Sequence, residues 1–299
     1  MKLLPVVDFG SRSSTTIAEL DAACRAHGFV LAVNSGISKA LSEEAFAAAK
    51  ELFAMPESAK LGLTRISAAT NRGYAPLKLE SLNHARGADQ KESFNVRFSN
   101  NDLDGCPESF VAVVPKLLEA AREACRRYTV ASALALGLDP RYFSRHFETM
   151  EQCTIRFLHY PPPRGESLVR LGEHTDFGLF TLVFVDQSAA ASGLQLKPEG
   201  AKEWTNVDGS EADCVVNTGA LAARWTNDCW CATEHRVVVP DSTAARGHRY
   251  SIAFFFDPDP DALVAVDPKF CASEPPRYSP ITAGDYLSAK LRAMAPTNA

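Results

Sequence analysis

A chain of 299 residues, 46% hydrophobic and 22% charged, can bury a large core and has an ordinary globular composition, which excludes disorder beyond the ends. Its net charge of −5, with no cluster of lysine and arginine, leaves no electrostatic footprint for nucleic acid. No apolar run approaches the roughly 18 residues of a membrane span, and Met1-Lys2-Leu3-Leu4-Pro5 is too short for a signal segment, so we expect a cytoplasmic monomer that meets a small-molecule substrate and no membrane.

In chain order, Pro5 to Phe9 reads as a strand. A helix follows that Thr16 can cap with Glu19 three residues on, striped by Ile17, Leu20 and Cys24 and ended by Gly28. Phe29 to Val33 is a second strand, and Asn34-Ser35-Gly36 turns the chain. The next helix has Ser42 as its expected cap, buries Phe46, Ala49, Leu52 and Phe53, and stops at Pro56. Residues 61 to 90 are polar and loop-rich. From Ser109 to Leu136 apolar residues recur at positions 110, 114, 117, 121, 125 and 128, which predicts a support helix with Pro115 in its first turn or at a kink.

Short strands dominate the remainder. Thr154 to Tyr160 alternates, with Thr154, Arg156, Leu158 and Tyr160 on one face and Cys153, Ile155, Phe157 and His159 on the other, so His159 is expected to pack outside. Further strands are predicted over 181–185, 194–197, 204–207, 214–217, 236–239 and 249–256, with a hairpin tip at 187–192 and a last helix near 282–294 that could cross the barrel mouth. Strands this short and closely spaced indicate a sandwich or barrel rather than a βαβ sheet. The eight cysteines lack zinc-ribbon spacing and suit reduced core thiols; Cys229-Trp230-Cys231 has no second pair to complete a metal site.

The chemistry concentrates in residues 174 to 251. His174 and Asp176 are two apart and can point the same way from one extended segment, and a sheet folded on itself could bring His235 to them. Two imidazoles and a carboxylate on one face of a metal are the ligand set of non-haem Fe(II) oxygenases, although zinc accepts such ligands too. In Arg249-Tyr250-Ser251-Ile252-Ala253-Phe254-Phe255-Phe256, alternation turns Arg249, Ser251, Ala253 and Phe255 to one side. If that side faces a barrel interior, the guanidinium needs an anion.

His174-x-Asp176, His235 and Arg249-x-Ser251, in this order and at these separations, resemble the isopenicillin N synthase-like branch of the Fe(II)/2-oxoglutarate-dependent oxygenases. The likeness extends through Tyr160-Pro161-Pro162, Asn217-Thr218-Gly219, Arg224 to Asp228, Thr233 to Val237 and, upstream, Met55-Pro56, Gly73-Tyr74 and Lys91-Glu92-Ser93-Phe94. It implies a mainly β fold with flanking helices around a double-stranded β-helix (jelly roll). An N-terminal α/β region (1–100) would pack on a jelly-roll core with support helices (101–299), in one compact unit.

The same resemblance implies that His174, Asp176 and His235 bind Fe(2+), while Arg249, Ser251 and Tyr160 hold 2-oxoglutarate. O2 takes part, ascorbate can serve as reductant, and no side chain beyond the metal ligands is catalytic. Oxidation of a small metabolite would release succinate and CO2. Arg156, Thr154 and Phe94 are candidate substrate contacts, with Arg156 equally readable as a structural ion pair. Gly219-Ala220, where many relatives have Gly-Asp, and Leu158 depart from the pattern without touching a ligand. Three other readings stay open: a same-fold iron oxidase that does not use 2-oxoglutarate, a zinc hydrolase, and a scaffold without catalysis.

Overall fold

The computed structural model describes residues 4–64, 71–77, 79, 89–99, 101–163, 168–186, 193–209, 212–240, 247–272 and 274–294. A large sheet runs, in spatial order, β1 (Val6–Asp8), β2 (Phe29–Val33), β10 (Cys214–Thr218), β7 (Phe180–Val185), β12 (Arg249–Phe256), β5 (Thr154–Tyr160), β4 (Glu92–Arg97) and β3 (Gly73–Ala75). A small sheet runs β6 (Val169–His174), β11 (Glu234–Val238), β8 (Leu194–Lys197) and β9 (Thr205–Asn206). β13 (Leu263–Val264) and β14 (Ile281–Thr282) form a separate ribbon. This is a jelly roll with flanking helices. The first hundred residues supply both edges of the large sheet, β1 and β2 at one and β3 and β4 at the other.

Side-chain alternation divides the buried residues between the two faces of the large sheet. One set joins Leu158, Tyr160 and Ala253 to Leu171, Leu194, Leu196 and Val237 of the small sheet, forming the interior between the sheets. The other joins Ile155, Phe157, Ile252, Phe254 and Phe256 to α2 (Lys39–Ala54) and α4 (Glu108–Ala135). Each of those fully buried aromatic rings contributes about 1.5–3 kcal/mol of apolar transfer free energy. The helices therefore lock β5 and β12 from behind, and their inward side chains are left to line a cavity.

Local details depart from the sequence expectation at helix starts. Ser13, not Thr16, caps α1 (Ser14–Ala26), its Oγ accepting from the Thr16 amide at 3.1 Å. Ser38 rather than Ser42 caps α2, accepting from Leu41 N at 3.2 Å. In both cases an earlier serine is extended and in reach of the first free amides. α2 does stop before Pro56, and the short α3 (Glu57–Gly62) follows it. Pro115 lies inside α4, which continues through it. The hairpin tip expected at 187–192 lies outside the described residues. No helix among the described residues is long and apolar enough to cross a membrane.

Candidate active site

The interior holds a cavity of about 260 Å³. Its lining contains Thr154, Arg156, Leu158 and Tyr160 of β5 and Arg249, Ser251, Ala253 and Phe255 of β12, the two inward sets that alternation assigns. Val183 of β7, Leu171 of β6, and Leu194 and Val237 of the small sheet form apolar walls. α6 (Ala283–Met294) closes one side with Leu287, Ser288 and Leu291, as the expected last helix across the mouth.

Strand register brings the histidines together. β11 runs antiparallel to β6 with His235 opposite His174, so the rings lie 4.2 Å apart between centroids. His174 is the last residue of β6, and Asp176 has already left the strand, which differs from the single extended segment the spacing suggested. The departure has a cause: the carbonyls of Asp176, Phe177 and Gly178 accept from the amides of Ala220 and Leu221 at the start of α5 (Ala220–Trp225), pulling the chain out of the sheet. The carboxylate still reaches the site. Its Oδ1 is 3.7 Å from Nε2 of both His174 and His235, and one ligand atom from each of the three residues lies within 4.8 Å of the others.

The surroundings fix what these atoms present. Nδ1 of His174 lies 2.9 Å from the Gly172 carbonyl, and Nδ1 of His235 lies 3.1 Å from that of Thr233. A carbonyl can only accept, so each Nδ1 carries the proton and each Nε2 offers a lone pair to the common point. Burial, and then the neighbouring His235, push His174 down to about 3, which keeps the ring neutral at physiological pH. Burial disfavours charge on Asp176. The two imidazoles and hydrogen bonds from Thr181 and Asn217 outweigh it and hold the carboxyl below its ordinary range. Asn217 Nδ2 donates to Oδ2 at 2.7 Å, leaving Oδ1 toward the histidines. Two neutral nitrogens and one anionic oxygen are a fitting donor set for Fe(II).

The cavity also holds a buried cation. Arg249 donates from Nη1 to Ser251 Oγ at 3.1 Å, and its guanidinium sits 4.9 Å from the centre of the Tyr160 ring. Burial pulls its pKa down, with Tyr160 opposing, so a carboxylate ligand there would favour the charged form. Lys91 lines the same cavity and is 4.0 Å from Asp89; the motifs that contain Lys91 and Asn217 do not by themselves reveal a role for either.

Of the three candidate substrate contacts, two line the cavity. Arg156 donates to Asn95 Oδ1 at 2.9 Å, and Thr154 accepts from Arg97 Nη1 at 2.9 Å. Phe94 does not. It stands opposite Phe157 across β4 and β5, on the helix-facing side, and packs edge-on against Phe110 at 5.2 Å in the core. Its position one residue out of phase with the inward Ser93 and Asn95 explains the error.

Comparisons with known proteins agree with this geometry. Residues 4–116 match the model for the non-haem dioxygenase in morphine synthesis N-terminal region, and residues 150–258 match that for the 2OG-Fe(II) oxygenase superfamily. A 2-oxoglutarate-Fe(II) type oxidoreductase, ppzD, of Metarhizium rileyi is 32% identical over 308 residues, covering 91% of this chain and 84% of its own. Among solved structures, a full-length Neurospora crassa protein in complex with alpha-KG superposes with a TM-score of 0.83 at 28% identity, covering 97% of this chain and 96% of that one. The complex of that Neurospora crassa protein with alpha-KG and thymine gives 0.80 at 26% identity, with 98% and 97% covered.

Proposed function

The chain belongs to the 2OG-Fe(II) oxygenase superfamily, in its isopenicillin N synthase-like branch, and on that premise we propose that it hydroxylates a C–H bond of a small polar metabolite. It is a non-haem Fe(II)/2-oxoglutarate-dependent dioxygenase. The balanced reaction takes substrate, O2 and 2-oxoglutarate to hydroxylated substrate, succinate and CO2. The observation that carries the residue assignments is the convergence of the His174, Asp176 and His235 donor atoms in the cavity that also holds Arg249.

In this reading His174, Asp176 and His235 hold Fe(II), which when bound supplies O2 activation coupled to decarboxylation of the oxo-acid. Arg249 takes the distal carboxylate of 2-oxoglutarate, with the Ser251 hydroxyl and the Tyr160 ring fixing the guanidinium. Leu171, Val183, Leu194 and Val237 exclude water around the co-substrate, which strengthens that ion pair. Asn217 holds Asp176 in its ligating orientation. No side chain has to move a proton.

Arg156 and Thr154 lie on the substrate side. The thymine complex of the Neurospora crassa relative supports a compact, polar substrate. We place the enzyme in the cytosol as a monomer that binds no nucleic acid, a reading supported by eight free cysteines and a net charge of −5. The test is stoichiometry: enzyme reconstituted with Fe(II) should release one succinate per hydroxylated product. Turnover with O2 in rigorously 2-oxoglutarate-free enzyme would overturn the reading.

A further inference from the structure

The cavity has a second charged end. The inward row of β12 continues past Ser251, Ala253 and Phe255 to Asp257, which lines the cavity with Gln152 and Thr154 of the segment opposite. Its carboxyl lies against the backbone of Gly178, where an added Cβ would collide with Oδ1. Only glycine leaves room for it there.

Arg97 stabilises the Asp257 charge from a distance but spends its own donors elsewhere, on Thr154 Oγ1 at 2.9 Å and the Glu151 carbonyl at 2.6 Å. Among the described residues no hydrogen bond or ion pair reaches the Asp257 carboxyl. Burial pushes it up to about 7, with Asp176 adding to the rise and Arg97 opposing it. Asp257 is only partly exposed, and a carboxyl without a protein partner facing a cavity is a group that a ligand can satisfy.

Arg156 stands on the adjacent strand of the same wall, paired in register with Ala253, so Asp257, just past the end of β12, lies four residues further on, about 13 Å along the strand direction. The Arg156 guanidinium leans toward that end, 5.7 Å from the centre of the Phe255 ring, with Nε held by Asn95. A cation, an aromatic face and a carboxyl thus follow one another along the wall. A donor-only N–H or ammonium group satisfies a desolvated carboxylate best, because the bond is charge-assisted.

We propose that Asp257 is a specificity-determining substrate contact: it accepts a hydrogen bond from an N–H or ammonium group of a small nitrogenous substrate whose carbonyl or carboxylate oxygen pairs with Arg156. This rests on the oxygenase reading of the cavity. The substrate class is an amino acid or a cyclic amide, and a simple carboxylic acid without N–H falls outside it.

The experiment uses the full chain reconstituted with Fe(II) and 2-oxoglutarate and reads succinate release above the substrate-free level. Three sets of probes are compared: free amino acids, cyclic amides and imides, and short carboxylic acids without N–H. We expect stimulation by one of the first two sets, which also tells them apart, and none by the third. Asp257→Ala should lose at least tenfold in kcat/KM for the active probe, and Asp257→Asn, which keeps the shape, should also lose activity. Both variants should retain the absorption band that 2-oxoglutarate gives on chelating Fe(II), which shows an intact fold and centre. Equal stimulation by acids without N–H, silence of every N–H-bearing probe, or an Asp257→Ala variant as active as the wild type would overturn the proposal. Loss of the absorption band in the wild-type protein would instead overturn the oxygenase reading.

Discussion

Two clusters in this chain each combine two histidines with one acid, and they lie on opposite sides of the large sheet. In the cavity, His174, His235 and Asp176 point three donor atoms at one place, and their outer nitrogens face backbone carbonyls. On the helix-facing side, Glu92, His159 and His248 form a line. Glu92 Oε1 is 2.7 Å from His159 Nδ1, and His159 Nε2 is 2.8 Å from His248 Nδ1. Lys60 closes the line at 2.7 Å from Glu92 Oε2, which also accepts from the Tyr74 hydroxyl. Both nitrogens of His159 are consumed within the protein, so nothing converges. The residue types are the same; what separates a ligand set from a structural network is where the second nitrogen of each ring goes.

The largest effect should come from exchanging the two clusters as targets. Asp176→Ala or His174→Ala should abolish stoichiometric Fe(II) binding and lower succinate formation by more than about 100-fold, whereas His159→Ala should keep one iron per folded chain. Metal content after anaerobic reconstitution checks both. Next, Glu92→Ala strands Lys60 and His159 in the core and should cost about 3–5 kcal/mol of stability by denaturant unfolding, with iron per folded molecule unchanged.

The Glu92 network also carries a pH signature. Burial raises the cost of its charge, but bonds from His159, Lys60 and Tyr74 win and hold its carboxyl below the ordinary range. A depressed carboxylate stabilises the fold fully above its unfolded value, near 4.5, and that contribution is lost as pH falls through the lower folded value. The stability gap between wild type and Glu92→Gln should therefore narrow on acidification below about pH 4. A smaller effect is expected at Asn217. Asn217→Ala frees Asp176 to rotate and should weaken Fe(II) affinity by about 10- to 100-fold without removing it, by metal titration.

Much of this was legible in the sequence where period two rules. Inward positions 154, 156, 158 and 160 and 249, 251, 253 and 255 all line the cavity, because one face of each strand is committed to helices packed behind it. The same period places Phe94 outside, a parity that quoting Lys91 to Phe94 as a block conceals. His159 does turn away from the cavity as expected, yet it is a buried polar hub rather than simple packing. Its partners Glu92 and His248, and the Lys60 that Glu92 holds in turn, come from distant segments that alternation cannot relate. Asp176 sits on a loop held by α5 amides, and Asp257 extends the β12 row one step past the strand; both depend on tertiary closure rather than local pattern.

Anomalous diffraction at the iron edge from crystals grown anaerobically with Fe(II) tests the central claim most directly. We predict one peak, within coordination distance of Nε2 of His174, Nε2 of His235 and Oδ1 of Asp176. A peak beside His159 and His248, or full iron occupancy that persists in Asp176→Ala crystals, would contradict it.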